Sequence, residues 1–160
     1  MTRYGMAIDL KRCFGCHACE VACKVANNLP ADLAYNRVMT VGGDSFDTAA
    51  GEFPNCTLSF LPMQCQHCET PACFAVCPTG ATQKDEKTGI VTVDGETCIG
   101  CGSCIQACPY QGVRTLIGDD PDYYLDVVVG EADAPAHKPS TVEKCTFCKN
   151  LVDRGEEPAC

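Results

Sequence analysis

Four cysteines in the middle of the chain are spaced so that their thiolates can converge on metal centres. Their segment reads Cys98-Ile-Gly-Cys101-Gly-Ser-Cys104-Ile-Gln-Ala-Cys108-Pro109, or C-x2-C-x2-C-x3-C-P. Three thiolates on a tight loop can surround one face of a 4Fe-4S cluster, and the fourth, carried away on a short helix, serves a second cluster. The segment therefore predicts one cluster and a partner group elsewhere in the chain.

The other residues of this segment fit the same chemistry. Gly100 and Gly102 allow positive φ and bring backbone N–H groups close to sulfur, where hydrogen bonds stabilise the negative charge of a cluster. Pro109 ends the helix that Cys104 begins, because it lacks an N–H group. A structural zinc site is the alternative, but it needs only two C-x2-C pairs and does not explain the further cysteine.

Three more cysteine groups follow related patterns. The first group repeats C-x2-C-x2-C-x3-C, the second reads C-x2-C-x4-C-x3-C-P, and the last reads C-x2-C-x11-C. Their members are Cys13, Cys16, Cys19 and Cys23; Cys65, Cys68, Cys73 and Cys77; and Cys145, Cys148 and Cys160. Cys56 lies outside every group, and its apolar, strand-like surroundings predict a small buried hydrophobic residue rather than a ligand.

Short elements are predicted around these groups. Alternating apolar residues indicate a strand over 3–9. Strands are also predicted over 37–41, 57–61 and the apolar, β-branched stretch 123–129, and a hairpin over 79–94. A polar, glycine-containing loop is expected over 42–52. Helices are predicted from the first group to Asn27 or Asn28, and over 149–154, where Gly155 ends the second one. The part from 60 to 117 looks like a bacterial two-cluster ferredoxin.

Composition favours a fold held together by metal. The 160 residues include 16 cysteines, no tryptophan and only 7% aromatic residues, so a large apolar core is not expected. The N-terminal residues lack a secretory signal, which favours metal ligation over disulfides. No apolar stretch approaches the roughly 18 residues of a membrane span. The net charge of -9 argues against binding to nucleic acid, whose phosphates would be repelled.

Catalysis by the chain alone is not indicated, because it has no Ser/His/Asp set, no phosphate-binding glycine loop and no paired carboxylates. For His17 and His67, a hydrogen-bonding or solvated role is favoured over ligation. Lys11, Arg12 and Lys144 border cysteine groups. They either raise cluster potentials and dock partners or act as exposed solubilising charges.

The order and spacing of the four groups resemble those of the four-cluster iron-sulfur subunits of the dimethyl sulfoxide reductase family of molybdopterin oxidoreductases. The resemblance covers essentially the whole chain. It implies that the first group pairs with the fourth and the second with the third, each lending its last cysteine to its partner's cluster. The implied ligand sets are Cys65, Cys68, Cys73 and Cys108; Cys98, Cys101, Cys104 and Cys77; and Cys145, Cys148, Cys160 and Cys23.

The fourth implied cluster departs from the family pattern. Cys13, Cys16 and Cys19 should be joined by a cysteine shortly after Cys160, and the sequence has none. Fifteen of the sixteen ligands implied by the family are thus present, giving three fully ligated clusters and one that lacks a ligand. A truncated C-terminus is the favoured explanation, with an incomplete cluster as the alternative.

The resemblance implies an α+β fold with two ferredoxin-like modules of short helices, β-hairpins and long loops. One lobe would comprise 1–59 and 118–160, and the other 60–117. The implied function is electron transfer between a molybdopterin catalytic subunit and an integral-membrane anchor that exchanges electrons with quinol, without a small-molecule substrate. The chain would be cytoplasmic or peripheral on the membrane within a complex, and export with a partner is compatible with this. A free-standing polyferredoxin and a zinc-stabilised interaction module are the alternatives.

Overall fold

The computed structural model of the chain describes residues 3–42, 48–134 and 136–160. Within these ranges the helices are short, and only the first exceeds two turns. They are α1 (Ala18–Ala26), α2 (Ala72–Ala75), α3 (Ser103–Gln106) and α4 (Lys149–Asp153). The strands are β1 (Asn36–Thr40), β2 (Phe60–Gln64), β3 (Thr82–Lys84), β4 (Val91–Val93), β5 (Arg114–Leu116) and β6 (Val142–Lys144).

The strands form three antiparallel pairs rather than one sheet. β1 pairs with β2, β3 with β4, and β5 with β6. The β3–β4 pair is the hairpin predicted over 79–94. In the third pair Arg114 lies opposite Lys144, so this pair connects the end of the third cysteine group with the start of the fourth. The result is a small α+β fold in which short elements hold long cysteine-bearing loops.

Cysteines form part of both hydrophobic clusters of the core. The first cluster contains Cys23, Leu29, Leu33, Tyr35, Ile117 and Cys145. The second contains Cys73, Val91, Cys104 and Val142. Because thiols contribute so many of the buried side chains, the core depends on the chemical state of those thiols as well as on aliphatic packing.

Two predicted strands are wrong. Residues 3–9 are not in a strand, although the backbone N–H of Tyr4 donates to Thr88 O at 3.2 Å, and Tyr4, Met6 and Ile8 are all exposed. Residues 123–129 also form no strand: the N–H of Val129 donates to the Asn28 side chain at 3.1 Å instead of to a neighbouring strand. Alternation is insufficient where no strand edge is available for pairing.

Other predictions need smaller corrections. The strand predicted over 57–61 begins and ends three residues later, as β2. Cys56 is exposed rather than buried, and it directly follows a turn in which Asn55 N–H donates to Glu52 O at 2.7 Å. Residues 43–47 of the predicted loop lie outside the described residues. The helix of the first group ends as predicted, with Asn27 as its C-cap.

His137 connects the end of α1 with β6. Its ring nitrogens lie 2.7 Å from Glu143 Oε2 and 2.7 Å from Asn27 O, and its side chain is only 2% exposed. Both partners are acceptors, so the imidazolium form, with two N–H donors, satisfies both. Although burial alone would lower the pKa of His137, Glu143 and the Asn27 carbonyl raise it. The protonated ring therefore stabilises the folded state.

We expect His137→Gln to lower the free energy of unfolding by about 1–3 kcal/mol at pH ~6, because an acceptor is left unpaired. A raised folded pKa contributes stability that is fully present below the unfolded value of ~6.5 and is lost as pH rises through the folded value. The difference between wild type and variant should therefore shrink above pH ~6.5. Anaerobic thermal unfolding followed by circular dichroism measures it. Lys138→Gln, at an exposed ion pair with Glu96, is the control.

A difference for His137→Gln that grows with pH, or that equals the effect of Lys138→Gln at every pH, would contradict this account of His137.

The helices of the described residues are all too short to span the hydrocarbon layer of a bilayer.

Candidate metal centres

The last cysteine of the second group lies with the first three cysteines of the third group. Cys77, which follows α2, lines one cavity together with Cys98, Cys101 and Cys104. The loop of the third group and the end of a helix from the second group thus bring four thiols from two sequence groups to one place.

A second cavity joins the first and fourth groups in the same manner. Cys23, in the second half of α1, lines it with Cys145, Cys148 and Cys160. Burial raises the pKa of Cys23, and the neighbouring thiols Cys145, Cys160 and Cys148 raise it further. Several thiols packed this closely need a positive centre between them before they can ionise together.

A third set combines three cysteines of the second group with the last cysteine of the third. Burial raises the pKa of Cys68, and the negative charge of Cys65, Cys73 and Cys108 adds to this rise. Cys73 is buried, at 8% exposure, in the first turn of α2. The electrostatic influence of Cys108 on Cys68 indicates the reverse exchange, in which the last thiol of the third group lies near the second group.

The first group is more open than the others. Cys16 is exposed and Cys13 is partly buried on a loop that leads into α1, and Cys19 is partly buried in the first turn of that helix. Gly15 has φ +76° in this loop, and a Cβ there would lie 2.4 Å from the Phe60 ring. The loop thus packs closely against β2. Of its three thiols, Cys19 lies near enough to Cys23 and Cys160 to influence both.

Comparison with known families identifies the cysteine groups. A family described as "4Fe-4S dicluster domain" matches residues 56–117, and a second dicluster family matches 90–154. A "4Fe-4S binding domain" matches residues 10–26. The matched ranges together include all four groups as far as Cys148, so the chain has the sequence of 4Fe-4S cluster domains along most of its length.

Relatives that match nearly the whole of this chain decide the family. The arsenate respiratory reductase iron-sulfur subunit ArrB of Shewanella is 34% identical over 99% of this chain and 76% of its own length. The thiosulfate reductase electron transfer subunit PhsB of Salmonella typhi is 40% identical over 99% and 69%. This chain belongs to the iron-sulfur subunits of dimethyl sulfoxide reductase and related molybdoenzymes. A Halobacterium salinarum protein named as an iron-sulfur subunit of dimethyl sulfoxide reductase is 41% identical over the whole chain, which spans 62% of its length.

Backbone amides point at the thiols of this iron-sulfur subunit. Thr82 N donates to Cys77 Sγ at 3.4 Å, Val142 N to Cys98 Sγ at 3.5 Å and Phe147 N to Cys145 Sγ at 3.3 Å. Burial alone would raise the pKa of Cys77, but the hydrogen bonds from Thr82 and Thr79 lower it to about 7. Such donors stabilise thiolates and fit a negatively charged cluster.

Side chains supply two further donors that sequence analysis missed. Arg114 Nη2 donates to Cys73 Sγ at 2.9 Å, and Asn27 Nδ2 lies 3.7 Å from Cys23 Sγ. Asn27 stands four residues after Cys23, so helical periodicity offered a signal for it. Arg114 is 41 residues from Cys73, and only the folded chain brings the two together.

His67 has a structural role within its cysteine loop. Its Nδ1 accepts a hydrogen bond from Val91 N at 2.9 Å, and its ring packs edge-on against Phe147 with centroids 5.5 Å apart. Burial, together with the charges of Lys144 and Arg114, lowers the pKa of His67 to about 3. Across the described ranges, no three His, Cys, Asp or Glu side chains form a site for a single metal ion.

Proposed function

We propose that this chain carries electrons one at a time through 4Fe-4S clusters, between a molybdopterin-containing catalytic subunit and a membrane anchor that exchanges electrons with quinol. The observation that carries the proposal is the reciprocal exchange of cysteines between groups. Electrons pass efficiently between clusters only when the clusters lie close together. Because the last cysteine of each group would bind the cluster of its partner group, the two loops would hold neighbouring clusters at a fixed separation.

We propose three complete ligand sets, which the positions of the thiols support. Each contains three cysteines from one group and one from its partner group. They are Cys65, Cys68, Cys73 and Cys108; Cys98, Cys101, Cys104 and Cys77; and Cys145, Cys148, Cys160 and Cys23. Cys13, Cys16 and Cys19 would contribute to a fourth cluster, and one lobe of 1–59 with 118–160 and another of 60–117 would each hold two.

The residues around the thiols have defined tasks in this function. The amides of Thr82, Val142 and Phe147 stabilise sulfur charge, and the aliphatic side chains of Val91 and Val142 exclude water from the second core cluster. A bound 4Fe-4S cluster supplies one-electron chemistry at a potential set by such hydrogen bonds and by burial. The proposal assigns no reaction on an organic substrate to this chain.

Named relatives support the choice of partners. The arsenate, thiosulfate and dimethyl sulfoxide proteins are all named as parts of reductases. We therefore place this chain in a complex with a catalytic subunit, as a peripheral component at the membrane. A free-standing polyferredoxin is the competing function, since the same ligand sets would serve a soluble carrier equally well.

Co-purification separates these two functions. A tagged chain isolated anaerobically from its own cells is expected to bring with it a larger chain that contains molybdenum and molybdopterin. Dithionite should bleach the brown absorption of the complex, and the oxidised substrate of the catalytic chain should restore it. A stable chain that is isolated alone, and that exchanges electrons with several soluble proteins, would favour the free-standing polyferredoxin.

A further inference from the structure

Two buried cations face each other on the β5–β6 pair. Arg114 is 4% exposed and Lys144 is 2% exposed, and the two are direct partners in the strand register. Like charges opposite each other destabilise a sheet, and buried charges are rare unless paired. Among the residues that the structure describes, no carboxylate forms an ion pair with either one. Their compensating negative charge must come from elsewhere.

Arg114 supplies the first indication of that source. Its Nη2 donates to Cys73 Sγ at 2.9 Å, while Nη1 is buried without a hydrogen-bond partner in the described part of the chain. Its charge and a hydrogen bond also act on Cys104. Cys73 and Cys104 belong to two different ligand sets, so one guanidinium lies between both.

Lys144 extends the same arrangement to the third set. Its Nζ donates to Cys145 O at 2.8 Å and also to Val91 O. Burial lowers the pKa of Lys144, and negative charge on the thiols of Cys65, Cys145 and Cys73 raises it. The ammonium form is therefore favoured when those sulfurs carry negative charge. The two cations therefore lie where the thiols of all three complete sets meet. The burial of Lys144 rules out the alternative that it is an exposed solubilising charge.

We propose that Arg114 and Lys144 form a buried cation pair that raises the reduction potentials of the clusters in these three sets and makes them suitable for successive electron transfer. Reduction adds one electron, supplied by the preceding donor in the chain of clusters, and breaks no bond. The added negative charge is stabilised by a nearby cation, most strongly where water is excluded. This inference rests on the proposed function.

The test compares neutral and charge-conserving variants of the whole chain. Arg114→Gln, Arg114→Lys, Lys144→Gln and Lys144→Arg are produced anaerobically, and midpoint potentials are measured by redox titration with electron paramagnetic resonance. Iron and acid-labile sulfide are measured on the same samples. Lys138→Gln is the matched control, because its side chain is 46% exposed and pairs with Glu96, so that solvent screens its charge.

Each neutral variant should lower at least one midpoint potential by about 59 mV or more. This shift corresponds to a tenfold or larger change in the one-electron equilibrium constant. Arg114→Gln should act on the sets of Cys73 and Cys104, and Lys144→Gln on those of Cys65 and Cys145. The charge-conserving variants and Lys138→Gln should leave the potentials near those of wild type. Lost iron in a neutral variant, with full iron in its charge-conserving counterpart, would also support the pair.

Two outcomes would overturn the inference. One is unchanged potentials in neutral variants that retain full iron and sulfide. The other is equal loss of iron from neutral and charge-conserving variants, which would indicate a packing role for the side chains. Iron and sulfide in the wild-type chain test the proposed function separately, because their absence would reject the clusters themselves rather than the role of the two cations.

Discussion

Cys77→Ser is expected to disrupt the cluster bound by Cys98, Cys101 and Cys104, and to leave the cluster at Cys65 and Cys68 intact. Cys77 lines the cavity of the third group, although its sequence places it in the second. Serine is a poor replacement for a thiolate, so that site should lose its cluster or convert to a three-iron centre, a loss of one to about four iron atoms per chain.

Cys73→Ser is the matched variant, because Cys73 lies one helical turn earlier and its charge acts on Cys68. It should damage the cluster of Cys65, Cys68 and Cys108. Iron analysis together with electron paramagnetic resonance of the reduced proteins distinguishes the two sites. The crossed assignment would be wrong if Cys77→Ser and Cys73→Ser removed the same signal.

Gly100→Ala should be far more damaging than Gly102→Ala, although the two glycines have nearly equal conformations. Their φ angles are +66° and +72°, so an alanine at either position incurs the left-handed penalty of about 1–2 kcal/mol. A Cβ on Gly100 would lie 2.2 Å from Ser140 O, whereas a Cβ on Gly102 meets nothing within 4 Å. Only Gly100→Ala must therefore displace backbone.

The displacement should separate the loop of the third group from the segment that leads into β6. Relieving such a clash costs about 1–3 kcal/mol beyond the conformational penalty. We expect Gly100→Ala to lose iron at the Cys98 set and to lower the temperature of cluster loss, while Gly102→Ala retains full iron. Equal iron content and equal thermal stability in the two variants would show that the contact with Ser140 is unimportant.

Local patterns predicted much of the cysteine chemistry and the elements next to it. The hairpin of β3 and β4 and the helices before Asn27 and Gly155 agree with the sequence, because turn residues, periodicity and helix caps are local signals. The meeting of Cys77 with the third group was implied by family resemblance. In the structure, Cys77 lines one cavity together with three thiols of the third group.

Features that depend on distant residues were not predictable. The pairing of β5 with β6 joins residues about 28 positions apart, and neither strand carries a sign of its partner. The strand predicted over 123–129 fails because its backbone meets Asn28 rather than a strand edge, and several of its side chains line an open groove beside α1. From the sequence Lys144 could act either on the clusters or partners or as an exposed solubilising charge, and only the fold shows that it is buried.

The central claim is that the thiol sets bind 4Fe-4S clusters, and combined analysis of iron, zinc and acid-labile sulfide tests it most directly. The wild-type chain, purified without oxygen, should contain iron and sulfide in near-equal amounts. Three fully ligated sets require at least about twelve of each per chain. Zinc without acid-labile sulfide, or a colourless chain with its cysteines in disulfides, would contradict the claim.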